Sequence, residues 1–328
     1  MFEKFDITVY CSTKSYENQL SHYNGVRLEY VNFKANGVQS ISYDIVSIFK
    51  AIRTSDTLLI LGVSGCIVLP LLRLFSNKRL VVNIDGLEWK RDKWNKAAKL
   101  FLKFSEKLAV KYANEVITDN KAIQSYVLEE YGRNSKLIAY GADHVNHVDL
   151  TQSLCEEYSV LKTDYAFTVC RIEPENNIHL ILEAFSNYHN LSLVIIGNWD
   201  RSTYGENLRM KYSVYEHIYL LDPIYDQDIL NQIRSNCTVY LHGHSAGGTN
   251  PSLVEAMYLK LPIVAFDVTY NRYTTSNKAR YFSTPEQLTE TLRNISHEEL
   301  AQIAEEMLTI AHAEYTWAKI AKEYSELF

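Results

Sequence analysis

Positive charge is in deficit: 33 Lys and Arg face 39 Asp and Glu over 328 residues, for a net charge of -6. That balance argues against a nucleic-acid binder. Cysteine is scarce as well. The five residues, Cys11, Cys66, Cys155, Cys170 and Cys237, are scattered and never in C-x-x-C spacing. This excludes a zinc knuckle or a disulfide scaffold and fits a reducing cytoplasm. Long hydrophobic runs are missing. The longest stretch without Asp, Glu, Lys, Arg or His, Thr57 to Leu72, is interrupted by Gly62, Gly65 and Pro70 and is too short for a membrane span. A strand, TLLILGV, followed by a loop and a helix accounts for it better. The opening MFEKFDITVY lacks the apolar core of a signal peptide. Internal repeats and low-complexity segments are absent too.

What is there is a regular alternation. Strands are expected at DITVY, VRLEYV, TLLILGV, RLVVNI, EVIT and KLIAY, with helices near 41–53, 66–75, 92–112 and 121–131. A polar stretch, GADHVNHVDLTQS, follows and reads as a linker. The pattern restarts with YAFTVC, LSLVIIG, HIYLLD, CTVYLHG and LPIVAFD, with helices near 178–186, 205–213, 226–234 and 251–259. The end, from about 285 to 326, reads as helical. Nearly continuous β-branched strands point to parallel sheets covered on both faces. The expected architecture is α/β with two doubly wound domains: residues 1–150, then 151–312, then a closing helix at 313–328. Ligands of such folds bind at the C-terminal strand edges, in a cleft that the two domains would face.

Only 12 glycines serve the whole chain, and two are adjacent in HGHSAGGTNPSLVEAM. Asn250 is a good helix N-cap and Pro251 suits the first helical position. Ser252, Leu253 and Val254 would then present unpaired N–H groups. Gly247 and Gly248 would let the backbone approach a ligand, with Thr249 beside them. Together these features suit an anion, most commonly phosphate. Glu255 lies one turn into the helix, where a carboxylate could take sugar hydroxyls. The alternative is an ordinary strand-to-helix turn with a solvated Glu; the strand-edge position favours the anion site.

Other residues also have two readings. Arg171, after a strand, offers a planar fork to a diphosphate or is a surface arginine. Glu175 orients that turn, touches a sugar or is solvated. His242 and His244 flank Gly243; either could bind donor sugar or phosphate, or be structural. No acidic partner sits at metal-ligand spacing from them. Asp85 ends a strand before Gly86 and could orient an acceptor hydroxyl or cap the following segment. Glu88 and Trp89 follow, and Trp89 offers a face for sugar stacking or is core. From Trp89 to Lys111, Lys90, Arg91, Lys93, Lys96, Lys99, Lys103, Lys107 and Lys111 outnumber Asp92 and Glu106. This basic amphipathic segment either lies on anionic lipid headgroups or is a solvated face.

The sequence resembles the group 1, family-4 glycosyltransferases, which have the GT-B fold. VCRIEPENNIHLILEAF resembles the motif whose Arg grips the nucleotide diphosphate. GGTNPSLVEAMYLKLPIVAFDV resembles the glycine-rich phosphate turn followed by the Glu that takes the ribose. AEYTWAKIAKEY resembles the C-terminal helix that returns to the first domain. VVNIDGLEWKRDKW, RIEPENN and YLHGHSAGGTNPSLVEAM are similar to the rhamnosyltransferase-type subgroup of bacterial capsule and O-antigen synthesis. Three positions depart from the wider family. Gly247 stands where a first Glu is common, Asn176 where a Lys is usual, and Asp85 where many relatives have His.

The resemblance implies a retaining, metal-independent and cofactor-free hexosyltransferase. It would move rhamnose from dTDP-rhamnose to a lipid-linked oligosaccharide at the inner face of the plasma membrane. Asp85 and Glu255 would be catalytic. Arg171, Glu175, His244, Gly247, Gly248, Thr249, Asn250, Ser252, Leu253 and Glu255 would bind donor, and Asp85, Gly86, Glu88 and Trp89 acceptor. No D-x-D pair follows a strand, which agrees with metal independence. A nucleotide-sugar epimerase and a non-catalytic nucleotide-sugar binder are the alternatives. Relatives also have a first strand, glycine-rich loop and helix before the strand that DITVY resembles. The expectation is therefore a first domain lacking its initial βα unit, with weak or no transferase activity unless an upstream segment supplies it, and a second domain that still binds nucleotide.

Overall fold

The structure, a computed structural model, describes residues 4–91 and 94–328. The expected helix start at 92, the charges of Asp92 and Lys93, and the first residues of MFEKF lie outside the described residues. The chain forms two compact units. Unit 1 comprises Met1–Ile138 and Ala321–Phe328, and unit 2 comprises Ala139–Ile320.

In unit 1 the elements run β1 (Thr8–Ser12), β2 (His22–Tyr23), β3 (Val26–Val31), α1 (Gln39–Thr54), β4 (Thr57–Leu61) and α2 (Leu69–Phe75). They continue with β5 (Arg79–Asn83), α3 (Lys96–Tyr112), β6 (Glu115–Thr118), α4 (Lys121–Tyr131) and β7 (Lys136–Leu137). The strands fall into two sheets, β1-β3-β2 and β4-β5-β6-β7. The second is parallel throughout and buries Leu80, Val81 and Val82 of β5. β1 and β4 are edge strands, and Val9, Leu59 and Leu61 on them are exposed. The Tyr10 carbonyl of β1 accepts a hydrogen bond from the Tyr43 hydroxyl of α1, 2.5 Å away.

Two local details differ from the sequence-based expectation. β2 pairs antiparallel with β3 through Asn24 and Gly25, both at positive φ (46° and 79°). An Asn-Gly pair with that geometry matches the right-handed twist of a tight hairpin. Helix α3 starts at Lys96 because the Asn95 side chain accepts from Ala98 N–H, satisfying a donor of the first turn.

In unit 2 the elements are α5 (Gln152–Glu157), β8 (Tyr165–Val169), α6 (Ile178–Ser186), β9 (Ser192–Ile196), α7 (Thr203–Tyr212), β10 (Ile218–Leu221) and α8 (Gln227–Ser235). Then come β11 (Val239–His242), α9 (Pro251–Tyr258), β12 (Ile263–Phe266), α10 (Thr269–Thr274), β13 (Arg280–Phe282), α11 (Pro285–Asn294), α12 (His297–Glu314) and α13 (Trp317–Ser325). All six strands are parallel, in the order β10-β9-β8-β11-β12-β13. This is the doubly wound order of dinucleotide-binding folds, and it reverses direction between β8 and β11. Two apolar layers cover the sheet. One includes Phe167, Val194, Tyr240 and Leu253, the other Ala166, Ile181, Phe185 and Trp199. Residues 141–150 are not a solvated linker: Ala142 and Val145 are fully buried in the first layer.

Chain crossings between the units fall at Ile138–Ala139 and within α13 at Ile320–Ala321. In unit 1 the end of α13 is tied to β5. Asn83 Nδ2 donates to the Tyr324 hydroxyl (3.1 Å), and Arg79 Nε donates to the Leu327 carbonyl (2.7 Å).

Candidate active site

The reversal point of the unit 2 sheet is where ligands of open α/β sheets bind. Two loops leave it, one after β8 and one after β11, and side chains stitch them together. Asn176 is buried; its Nδ2 donates to the Arg171 carbonyl (2.7 Å) and its Oδ1 lies 2.8 Å from His244 Nδ1. Because the amide nitrogen is already a donor there, His244 donates from Nδ1. Ser245 N–H and Oγ–H both donate to the Glu175 carbonyl, and Asn177 Nδ2 donates to the Gly243 carbonyl (2.8 Å). A Cβ at Gly243 would sit 2.1 Å from the Asn176 carbonyl oxygen, so only glycine allows this approach.

Gly247 is held at φ 121°, a conformation open to glycine alone, and a Cβ there would be 3.2 Å from His244 Nε2. Gly248 and the buried Thr249 complete the turn. Asn250 is the N-cap of α9 and Pro251 its first residue. The cap corrects one expectation. Ser252 N–H is taken by Asn250 Oδ1 (3.0 Å), and the N–H groups of Leu253 and Val254 by the Asn250 carbonyl (3.1 and 3.2 Å). Leu253 is also fully buried. The start of α9 therefore offers no free donor at these three residues.

Arg171 is exposed at the loop edge, 3.7 Å from Glu173 Oε2, beyond hydrogen-bond range. Glu173 Oε2, Glu175 Oε1 and His242 Nε2 are buried without a hydrogen-bond partner. Buried polar atoms are normally satisfied, so three on one sheet edge is unusual. Burial, with His244 beside it, pushes the His242 imidazole well below its ordinary pKa, so the ring is neutral. Glu255 projects from the first turns of α9. Its Oε2 pairs with Nη1 of Arg234, whose side chain is 1% exposed, and its Oε1 is 3.2 Å from His144 Nε2. The Glu255 side chain remains 19% exposed.

Unit 1 carries the second group of expected residues. Asp85 follows β5, is exposed and sits at φ 55°, a left-handed conformation that Asp tolerates better than most residues. Asn83 Oδ1 accepts from its N–H (2.9 Å). Asp85, Gly86 and Glu88 line a cavity of about 570 Å³, together with Asp44, Ser64 and Trp94. Burial raises the Asp44 carboxyl above its ordinary pKa, partly offset by the Ser64 hydroxyl that donates to it.

Trp89 does not line that cavity. Its Nε1–H donates to the buried carboxylate of Glu106 (3.1 Å), and Lys103 Nζ stands 4.8 Å over its ring. Trp94 lines it instead, with Tyr43 and Phe101, and donates to Glu88 Oε1 (2.9 Å). Glu106, expected on a charged face, is fully buried and also accepts from the Tyr126 and Tyr131 hydroxyls, each at 2.7 Å.

Residues 156–310 match the family model described as Glycosyl transferases group 1. Residues 2–143 match the one described as Domain of unknown function (DUF1972). Among solved structures, the sucrose-phosphate synthase of Thermosynechococcus elongatus aligns at TM-score 0.80 and 13% identity, over 98% of this chain and 88% of that one. Anabaena HepE in complex with UDP-glucose aligns at TM-score 0.72 and 14% identity, over 92% of this chain and 85% of that one. A glycosyltransferase from Rickettsia africae aligns at TM-score 0.71 and 14% identity, over 92% and 84%. No curated protein matches the sequence. The chain has the GT-B fold.

Proposed function

We propose that the chain is a glycosyltransferase that moves a sugar from a nucleotide-sugar, held in unit 2, to an acceptor hydroxyl bound in unit 1. One observation carries this reading. At the reversal point of the unit 2 sheet, the exposed Arg171, the Gly247–Gly248 turn and three buried polar atoms without a hydrogen-bond partner lie at the end of β11 and on two loops stitched by Asn176 and His244. Arg171 and the turn suit a diphosphate, Glu175 and His242 suit sugar hydroxyls, and Glu255 suits the hydroxyls of the nucleoside.

In this reading the bond from the anomeric carbon to the diphosphate breaks. A bond to the acceptor oxygen forms on the same face, with retention. The acceptor proton passes to the departing diphosphate. Arg171 and backbone N–H groups meet the charge that develops there, so the step needs no cation. Asp85 orients the acceptor hydroxyl, with Gly86 and Glu88 beside it.

The finer assignment is rhamnose from dTDP-rhamnose, placed on a lipid-linked oligosaccharide of capsule or O-antigen type. The resemblance of VVNIDGLEWKRDKW and YLHGHSAGGTNPSLVEAM to the rhamnosyltransferase subgroup supports it. UDP-sugars are the alternative, since HepE is seen with UDP-glucose. The lipid would be met at the inner face of the plasma membrane. Among the described residues no helix is long and apolar enough to cross a membrane. The surface assigned to the lipid is α3 with α2, which packs against it. Leu100 and Phe104 on α3 and Leu71, Leu74 and Phe75 on α2 are exposed, and so are Lys96, Lys107 and Lys111.

A thermal-shift panel of dTDP-, UDP- and GDP-sugars tests the donor, because a ligand bound only by the folded state raises its stability. Labelled dTDP-rhamnose with and without a lipid-linked acceptor then tests transfer. Conversion of the donor without acceptor would make the chain an epimerase. No shift with any nucleotide-sugar would refute the reading.

A further inference from the structure

Gly141, Ala142, Asp143 and His144, expected in a polar linker, are clasped to the start of α13 inside unit 2. Ala142 N–H donates to the Tyr315 carbonyl (2.7 Å), and Trp317 N–H donates to Asp143 Oδ1 (2.6 Å). A Cβ at Gly141 would lie 2.5 Å from Trp317 Cδ2, so the indole packs on bare backbone. Trp317 Nε1 is 3.1 Å from His144 Nδ1.

An indole N–H can only donate. His144 Nδ1 is therefore the acceptor, and the neutral ring carries its proton on Nε2. That Nε2–H is the group 3.2 Å from Glu255 Oε1. The other oxygen, Oε2, is held by Arg234, whose Nη2 donates to Asn231 Oδ1 (2.8 Å). Glu255 is thus gripped at both oxygens by groups from two separate segments. Each oxygen keeps a second lone pair, and the 19% exposure leaves room for a ligand hydroxyl to reach one.

We propose that His144 is a positioning residue of the donor site: oriented by Trp317, it fixes the Glu255 carboxylate for the hydroxyls of the nucleotide's pentose. This rests on the reading that Glu255 binds those hydroxyls. With Arg234 as its only partner, the carboxylate could rotate about its last torsion, and binding would bear the cost of ordering it. His144 removes that cost in advance. The donor site then includes a residue close to the chain crossing at Ile138–Ala139.

The test is calorimetric titration with UDP and dTDP, and with 2′,3′-dideoxythymidine diphosphate, which lacks both pentose hydroxyls, alongside thermal unfolding of each variant. His144→Ala should weaken UDP or dTDP binding about tenfold, the scale of one hydrogen bond to a charged group. His144→Gln, whose amide N–H can reach the same oxygen, should recover most of the loss. His144→Ala should leave binding of the dideoxy nucleotide unchanged. Equal weakening for the dideoxy nucleotide, or no rescue by Gln, would give His144 a merely structural role and overturn the proposal. If Glu255→Ala abolishes binding while His144→Ala leaves it unchanged, the proposal fails and the donor reading stands. If Glu255→Ala has no effect, or wild type binds no nucleotide, the donor reading fails and this proposal with it.

Discussion

Asn176 and His244 lie 68 positions apart and share a hydrogen bond of 2.8 Å that joins the loop after β8 to the loop after β11. Many group 1 relatives have a lysine at the position of Asn176. Here the side chain faces inward and holds both loops; in the proposed function it shapes the diphosphate site and leaves the charge to Arg171.

Asn176→Ala should therefore destabilise unit 2. His244 Nδ1 loses the buried Asn176 acceptor, while the Arg171 carbonyl keeps the Glu173 N–H (2.9 Å), so the cost is about 1–3 kcal/mol. Nucleotide affinity should fall with it, because the glycine turn packs against His244. Urea unfolding checks the first effect and nucleotide titration the second. Unchanged stability would mean that water replaces the amide without loss.

Arg171 is exposed, and among the described residues its only ion-pair neighbour is Glu173 at 3.7 Å. Arg171→Lys keeps the charge but loses the planar fork, so folding should be unaffected while transfer falls. Turnover equal to wild type, measured with labelled donor, would remove Arg171 from the diphosphate site and leave the glycine turn as its anchor.

Gly243→Ala and Gly247→Ala separate packing from conformation. The first puts a methyl 2.1 Å from a backbone oxygen, so expression and melting temperature should collapse. The second strains the backbone at φ 121° by about 1–3 kcal/mol and should weaken nucleotide binding more than it lowers the melting temperature. A Gly247→Ala protein with normal nucleotide affinity would show that the turn does not contact the phosphates.

How much of this was readable in advance follows from the range of each interaction. Asn250 and Pro251 announce the start of α9 because capping is decided within four residues. The strand pattern of unit 2 is legible because its parallel strands are uniformly apolar. The Asn24–Gly25 hairpin carried a clear local signal that the alternation of longer elements obscured. His144 was not legible: its role depends on Trp317, 173 positions away. The exchange of Trp89 for Trp94 turns on the buried Glu106. That residue sits with Leu102 and Ala109 on the inner side of α3, a spacing present in the sequence but hidden among lysines.

Glu106 gives a pH prediction. Burial raises its carboxyl above the ordinary value of 4.5, opposed by the Tyr131, Tyr126 and Trp89 donors and by Lys103. A raised acid binds its proton more tightly in the folded state than in the unfolded one. Its contribution to stability is thus greatest at low pH and falls as pH rises from 4.5 through the raised value. Glu106→Gln should lack this dependence and, with an amide facing three donors, lose about 1–3 kcal/mol at low pH, where wild type is also uncharged there. Melting curves of both proteins between pH 4 and 8, on the order of one unit apart, check this. Parallel pH profiles would mean that the Glu106 carboxyl has the same pKa in the folded and unfolded states.

The membrane surface can be tested without any donor. Lys103 is committed to Glu130 (2.9 Å) and the Trp89 ring, so reversing its charge would disturb unit 1. Lys96, Lys107 and Lys111 are exposed and are the better probes. Each lysine near an anionic surface contributes about 1 kcal/mol, screened by salt. Lys96→Glu, Lys107→Glu and Lys111→Glu together should release the protein from phosphatidylglycerol vesicles in a flotation assay. Replacing Leu74, Phe75 and Leu100 with Ser should weaken binding at high salt, where burial of apolar side chains is the remaining attraction. Binding to neutral phosphatidylcholine vesicles should be weak from the start. If wild type fails to float with anionic vesicles, α2 and α3 are an ordinary solvated face and the acceptor is met elsewhere.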